Sequence, residues 1–191
     1  NRPESVEQVF MLDEEDSYTQ ARDEAFELPV PEDVDPDGLC ALLYTSGTTS
    51  LPKGVKLTNG AITGYVMGTN DAATGEDIGR MALAAPLYHI AGVTSMLNAL
   101  YSGRVVVLLP QFEASAWIDI VQRHSVTHAF LVPTMLGRVM EAPNFSADAF
   151  VGMEAITYGA APMPPSVIRR AIGEFPPNVS FAGAYGPTET T

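Results

Sequence analysis

The residues best equipped for chemistry stand in four short stretches. The first is Tyr44-Thr45-Ser46-Gly47-Thr48-Thr49-Ser50-Leu51-Pro52-Lys53-Gly54, where hydroxyls, glycines and one lysine follow an apolar run. Hydroxyls and exposed backbone N–H groups in such a loop suit phosphate oxygens, and Lys53 adds a mobile point charge. It is not the phosphate loop that ends in Gly-Lys-Ser/Thr, because Pro52 precedes Lys53 and Gly54 follows it. By composition alone the stretch fits an ordinary Gly/Ser/Thr turn equally well. The second stretch, Pro86-Leu87-Tyr88-His89-Ile90-Ala91-Gly92, sets one imidazole among apolar residues, where a lone histidine is more often structural. The third, Tyr158-Gly159-Ala160-Ala161-Pro162-Met163, is a small-residue turn. The fourth, Gly183-Ala184-Tyr185-Gly186-Pro187-Thr188-Glu189-Thr190, offers a ring on which a base can stack, a hydroxyl for a phosphate, and a carboxylate of the hard kind that Mg²⁺ prefers. An acid beside a polyphosphate repels it unless a cation lies between, so a metal role for Glu189 follows if the phosphate role does. Standing alone, Tyr185 reads as a core ring and Glu189 as a solvated acid.

The elements that must position these residues are legible as apolar runs between Gly/Pro turns. Strands are expected at 39–45, 81–85, 104–109, 127–131, 153–158 and 179–184, with helices at 59–70, 90–101 (ending near Gly103), 115–124, 133–141 and 164–175. The last five strands begin 23 to 26 residues apart, a spacing that suits one strand plus one crossover helix. Continuous apolar strands point to a sheet covered on both faces. The expected fold is therefore α/β, a largely parallel sheet with helices on both faces. Each of the four stretches falls at the carboxyl end of a strand, where open α/β sheets bind ligands. His124 and His128 do not read as a metal pair, since no acid accompanies them and a boundary at 125–127 separates a helix from a strand.

Charge divides the chain. The formal total is −13. Residues 1–37 hold 13 acids and 2 bases, leaving −11, and residues 38–191 hold 10 acids and 8 bases, leaving −2. An acidic leader (1–37), with a strand at 5–12, a charged helix at 17–27 and a loop stiffened by Pro29, Pro31 and Pro36, thus precedes a nearly neutral α/β core (38–191). No basic stripe supports a nucleic-acid grip. The most apolar region, Met81–Pro110, is interrupted by Pro86, His89, Asn98, Gly103 and Arg104, so no membrane span is expected. The single cysteine, Cys40, sits in the run Leu39–Leu43 and reads as a small buried core residue, a reduced thiol that fits a cytoplasmic protein.

The order of residues in the first stretch resembles the phosphate-binding loop of the adenylate-forming (AMP-binding) superfamily, which includes acyl-CoA synthetases, aryl-CoA ligases, luciferases and peptide-synthetase adenylation domains. Ser50 stands where that pattern has a third glycine. The other three stretches resemble the family's later motifs, in the family's order, over residues 38–191. The resemblance implies part of the large N-terminal domain of an enzyme that uses ATP, Mg²⁺ and coenzyme A to turn a carboxylic acid into an acyl-adenylate and then a thioester. It assigns ATP contacts to Thr45, Ser46, Gly47, Thr48, Thr49, Lys53, Gly159, Ala160, Ala161, Ala184, Tyr185, Gly186 and Thr188. Thr188, Glu189 and Lys53 become the catalytic residues, Glu189 and Thr45 the metal contacts, and His89, Val93 and Gly159 the acyl side. Amino-acid-activating members carry an Asp near the position of Leu87–His89, and no acid lies between Met81 and Ala99. A fatty or aryl acid is therefore favoured, with an amino-acid-activating domain as the alternative. The family's ribose-binding Asp, hinge and lid lysine lie beyond the fourth motif. The 191 residues read as a piece that is inactive alone, or as a non-catalytic nucleotide-binding scaffold.

Overall fold

The computed structural model describes residues 33–45, 52–76, 78–186 and 188, and all but residues 33 and 34 of these belong to the unit Asp35–Thr191. The strand expected at 5–12, the helix at 17–27, Ser46–Thr49 and Glu189 lie outside the described residues. The elements run β1 (Leu39–Thr45), β2 (Lys53–Thr58), α1 (Asn59–Thr69), β3 (Arg80–Leu83), α2 (Ile90–Tyr101), β4 (Val105–Leu108), α3 (Ala114–Arg123), β5 (His128–Leu131), α4 (Pro133–Glu141), a 3₁₀ turn (Ala147–Phe150), β6 (Ala155–Tyr158), α5 (Pro165–Glu174) and β7 (Ser180–Gly183).

Strands β3 to β7 form one parallel sheet in the order β4-β3-β5-β6-β7. Period-two alternation sorts their side chains between two faces. Ala82, Ala129, Leu131 and Ile156 point to one face, where Trp117, Ile118 and Val121 of α3, Leu136, Val139 and Met140 of α4 and Ala171 of α5 close the main core. Phe145, Phe150, Phe175 and Phe181 stack and tilt against one another there, with centroids 4.6–5.6 Å apart. Met81 and Phe130 point to the other face and meet Ala99 of α2. Helices thus cover both faces, as the continuous apolar strands require.

Two expectations are corrected. β1 does not join the parallel sheet. It pairs antiparallel with β2, an element absent from the sequence reading, in a separate two-stranded hairpin. The hairpin buries one face only: Leu43 and Leu57 pack with Ile62 and Val66 of α1 and Ile90 of α2, while Leu42 and Tyr44 are exposed. Cys40 falls on the outward parity and is exposed, not a core residue. The helix expected from Ser115 is capped two residues earlier. The Glu113 carboxylate accepts the N–H groups of Ser115 and Ala116 at 3.0 and 2.6 Å, and these bonds hold its pKa below the ordinary carboxylate value.

Candidate functional site

The third and fourth motifs are brought together at the carboxyl ends of β6 and β7. These strands pair in register from Ala155↔Ser180 to Tyr158↔Gly183, and the ladder continues one step as Ala184 N–H donates to Tyr158 O at 2.7 Å. A Cβ on Gly159 would stand 2.7 Å from the Ala184 carbonyl oxygen, so only glycine lets the two chains run this close. Ala160 follows with φ of 64°, a left-handed conformation that costs a non-glycine residue about 1 kcal/mol and is often held at functional sites. Beyond Ala184 the Tyr185 ring is fully exposed.

The second motif lies at the start of α2. His89 caps the helix from an extended conformation, its Nδ1 accepting the Ala91 N–H at 3.2 Å. A ring nitrogen that accepts carries no proton, so the neutral imidazole holds its proton on Nε2, free to be donated. A Cβ on Gly92 would overlap the Pro86 carbonyl oxygen, which fixes the path of the turn leading into the helix.

A cavity of about 300 Å³ opens beside these residues and runs between α2 and the sheet. Its mouth is formed by His89, Ala160, Ala184, Tyr185 and Gly186. One helical stripe of α2, namely Ala91, Thr94, Ser95 and Asn98, faces Ala155 and Thr157 of β6. All of these are small or short, and that leaves the space unfilled. At the other end stand Arg104 and His128, which also border a second hollow with Arg80, Thr127 and Glu154. Arg104 owes its place to the end of α2. Gly103 takes φ of 80°, its N–H donates to Leu100 O at 3.0 Å, and the Arg104 N–H reaches Ala99 O at 2.8 Å, the paired bonds of a Schellman termination. His128 Nδ1 lies 2.8 Å from the Thr127 hydroxyl and its Nε2 4.0 Å from Glu154. Burial, with the neighbouring Arg104 charge, lowers the His128 pKa below its ordinary value, against a smaller opposing pull from Glu154.

Comparison with known proteins decides the family. The family model described as "AMP-binding enzyme" matches residues 1–191. The chain belongs to the AMP-binding enzyme family. Among relatives of this AMP-binding chain, 4-coumarate–CoA ligase 3 of Oryza sativa subsp. japonica is 33% identical over 172 residues, covering 86% of this chain and 30% of the relative. The inhibitor-bound N-terminal domain of FACL13 from Mycobacterium tuberculosis superposes with a TM-score of 0.77 at 26% identity, covering 91% of this chain and 43% of that one. O-succinylbenzoate coenzyme A synthetase (MenE) from Bacillus subtilis, in complex with AMP, superposes with a TM-score of 0.65 at 31% identity, covering 82% and 31%. The chain spans about a third of the length of the curated relatives it matches.

Within this AMP-binding fold the expected residues divide. His89, Ala160, Ala184, Tyr185 and Gly186 share the cavity mouth. Gly159 lies behind it against Ala184, and Ala161 is exposed outside the wall. Thr188 is half-buried. Thr45 and Lys53 face each other as the last and first residues of β1 and β2, so Lys53 belongs to a strand, not to the loop. Val93 is half-buried and is not on the cavity wall. It falls off the stripe of α2, Ala91, Thr94, Ser95 and Asn98, that faces the cavity. Asn98, Arg104 and His128 were not singled out as site residues by sequence. The signal available was a polar residue at the start of two otherwise apolar strand segments, and at the inward stripe of a helix.

Proposed function

We propose that the protein containing this chain activates a carboxylic acid with ATP, forming an acyl-adenylate, and passes the acyl group to the thiol of coenzyme A. The observation that carries this reading is a cavity that begins among the motif residues and runs inward between α2 and the sheet. The acid's tail occupies the cavity and its carboxylate stays at the mouth, where the His89 Nε2–H can donate to it. The Tyr185 ring takes the adenine face. Ser46, Gly47, Thr48, Thr49 and Lys53 hold the outer phosphates, and Thr188 acts nearer the α-phosphate. The carboxylate oxygen attacks the α-phosphorus and pyrophosphate leaves. The thiol then attacks the acyl carbon and AMP leaves. Both anions must be brought together, so positioned donors carry the catalysis.

Of the two residues assigned to Mg²⁺, the described part of the site contains only Thr45. One neutral hydroxyl is not a divalent-cation site, and no step is assigned to the ion; Glu189 is the residue through which a metal role is to be tested. The cavity wall holds no carboxylate that could pair with an amino group, which supports a fatty or aryl acid over an amino acid.

Acid-dependent ATP–pyrophosphate exchange by the whole protein tests the proposal, with fatty, aryl and amino acids and with Glu189→Gln. Exchange with non-amino acids, weakened in the variant most at limiting Mg²⁺, is expected. Exchange with amino acids only would move the protein to the amino-acid-activating branch, and no exchange with any acid would overturn the reading. The 191 residues alone, lacking two thirds of the relatives' length, are expected to show none.

A further inference from the structure

The end of the cavity at Arg104 carries polar atoms without partners among the described residues. Asn98 Oδ1 and Arg104 Nε are both shielded from solvent, neither has a hydrogen-bond partner among the described residues, and both residues line the cavity. Among the described residues no carboxylate lies within ion-pair distance of the Arg104 guanidinium; Glu154 meets His128, and Glu141 and Glu174 meet Arg170. A guanidinium set against a hydrocarbon tail and left unpaired is destabilised. Arg104 is not there by loose placement, since the Schellman bonds and the positive φ of Gly103 fix its backbone.

We infer that Arg104, with Asn98 beside it, receives a second carboxylate at the far end of the acid, so that the preferred substrates are dicarboxylic acids long enough to span the cavity. The inference rests on the acid-activating function proposed above. The planar guanidinium fork matches a carboxylate in shape as well as charge. The Asn98 amide, turned end for end, presents its NH₂ to the same group. Burial and the Arg104 charge lower the His128 pKa, and Arg104 is the permanent cation among the residues that line the cavity. Length follows from the strands. His128 and Leu131 bracket β5, which is in register with β6, and the mouth residues Ala160 and Ala184 lie just past the ends of β6 and β7. From the level of His128, opposite Ala155 and Ser180, the mouth residues Ala184 and Ala160 lie four and five residue steps on, about 13–17 Å. Malonate and succinate are too short for that span, and of these diacids sebacate, met by the Arg104 side chain that lines the cavity, comes closest to bridging it.

The test is kcat/KM for exchange by the whole protein with malonate, succinate, adipate, suberate, sebacate, octanoate and decanoate, in wild type and Arg104→Met. Suberate or sebacate should exceed the monocarboxylate of equal length, and the variant should lower that ratio about 10- to 100-fold, the worth of one charge-assisted contact. A wild type that prefers octanoate and decanoate, or a variant with an unchanged ratio, overturns the inference while leaving the acid-activating function intact. No exchange with any acid removes that function and this inference together. If circular dichroism shows Arg104→Met to be unfolded, the wild-type ranking alone decides.

Discussion

The imidazole of His89 and the backbone N–H of Ala91 are hydrogen-bonded at 3.2 Å, so one side chain both caps α2 and stands at the cavity mouth. The two duties separate on substitution. His89→Asn can still cap the helix but cannot extend a donor as far, whereas His89→Ala loses both. His89→Ala should cost about 1 kcal/mol of stability, and His89→Asn close to none. Both should lower kcat/KM for the acid by about 10-fold or more. Thermal melting read beside exchange kinetics checks the split; full activity in His89→Asn would confine His89 to its structural duty.

Gly92 tests whether the turn ahead of α2 matters to the site. Gly92→Ala forces a methyl against the Pro86 carbonyl oxygen and should destabilise the fold by about 1–3 kcal/mol. Because the displaced turn carries His89, the acid's KM should rise even at temperatures where the variant remains folded. Urea unfolding and KM measured on one preparation check both effects.

His128 predicts a pH dependence. Its folded pKa lies below the ordinary histidine value of about 6.5. In the window between the two, the unfolded chain is protonated and the native chain is not, so stability is full above about pH 6.5 and declines as pH falls toward the folded pKa. Melting temperature measured from pH 7.5 downward should fall less steeply for His128→Gln than for wild type. Parallel curves would contradict the neutral assignment.

Much of the fold was legible because it rests on local signals. The period of 23 to 26 residues gave the parallel strands, and every helix from 59 onward begins and ends within one residue of its expected position. β2 was missed because Lys53–Thr58 offers only Val55 and Leu57 as an alternating pair, directly after a Gly/Ser/Thr/Pro stretch that reads as loop. Cys40 was misread for a related reason. A continuous apolar run implies two covered faces, but β1 sits in a hairpin with one. Of the site, the mouth was visible as motifs, while Asn98, Arg104 and His128 were not. They meet only because α2, the turn after it and β5 are brought side by side through the register of β3 with β4 and β5. No local pattern encodes that meeting.

The claim that the cavity takes the acid while the nucleotide stays outside it is tested most directly by Ala155→Leu. This residue lines the cavity wall on β6, away from the motif residues at the strand ends. Steady-state exchange should show the acid's KM raised about tenfold or more, with the KM for ATP within about twofold of wild type. A raised KM for ATP with an unchanged KM for the acid would contradict the account.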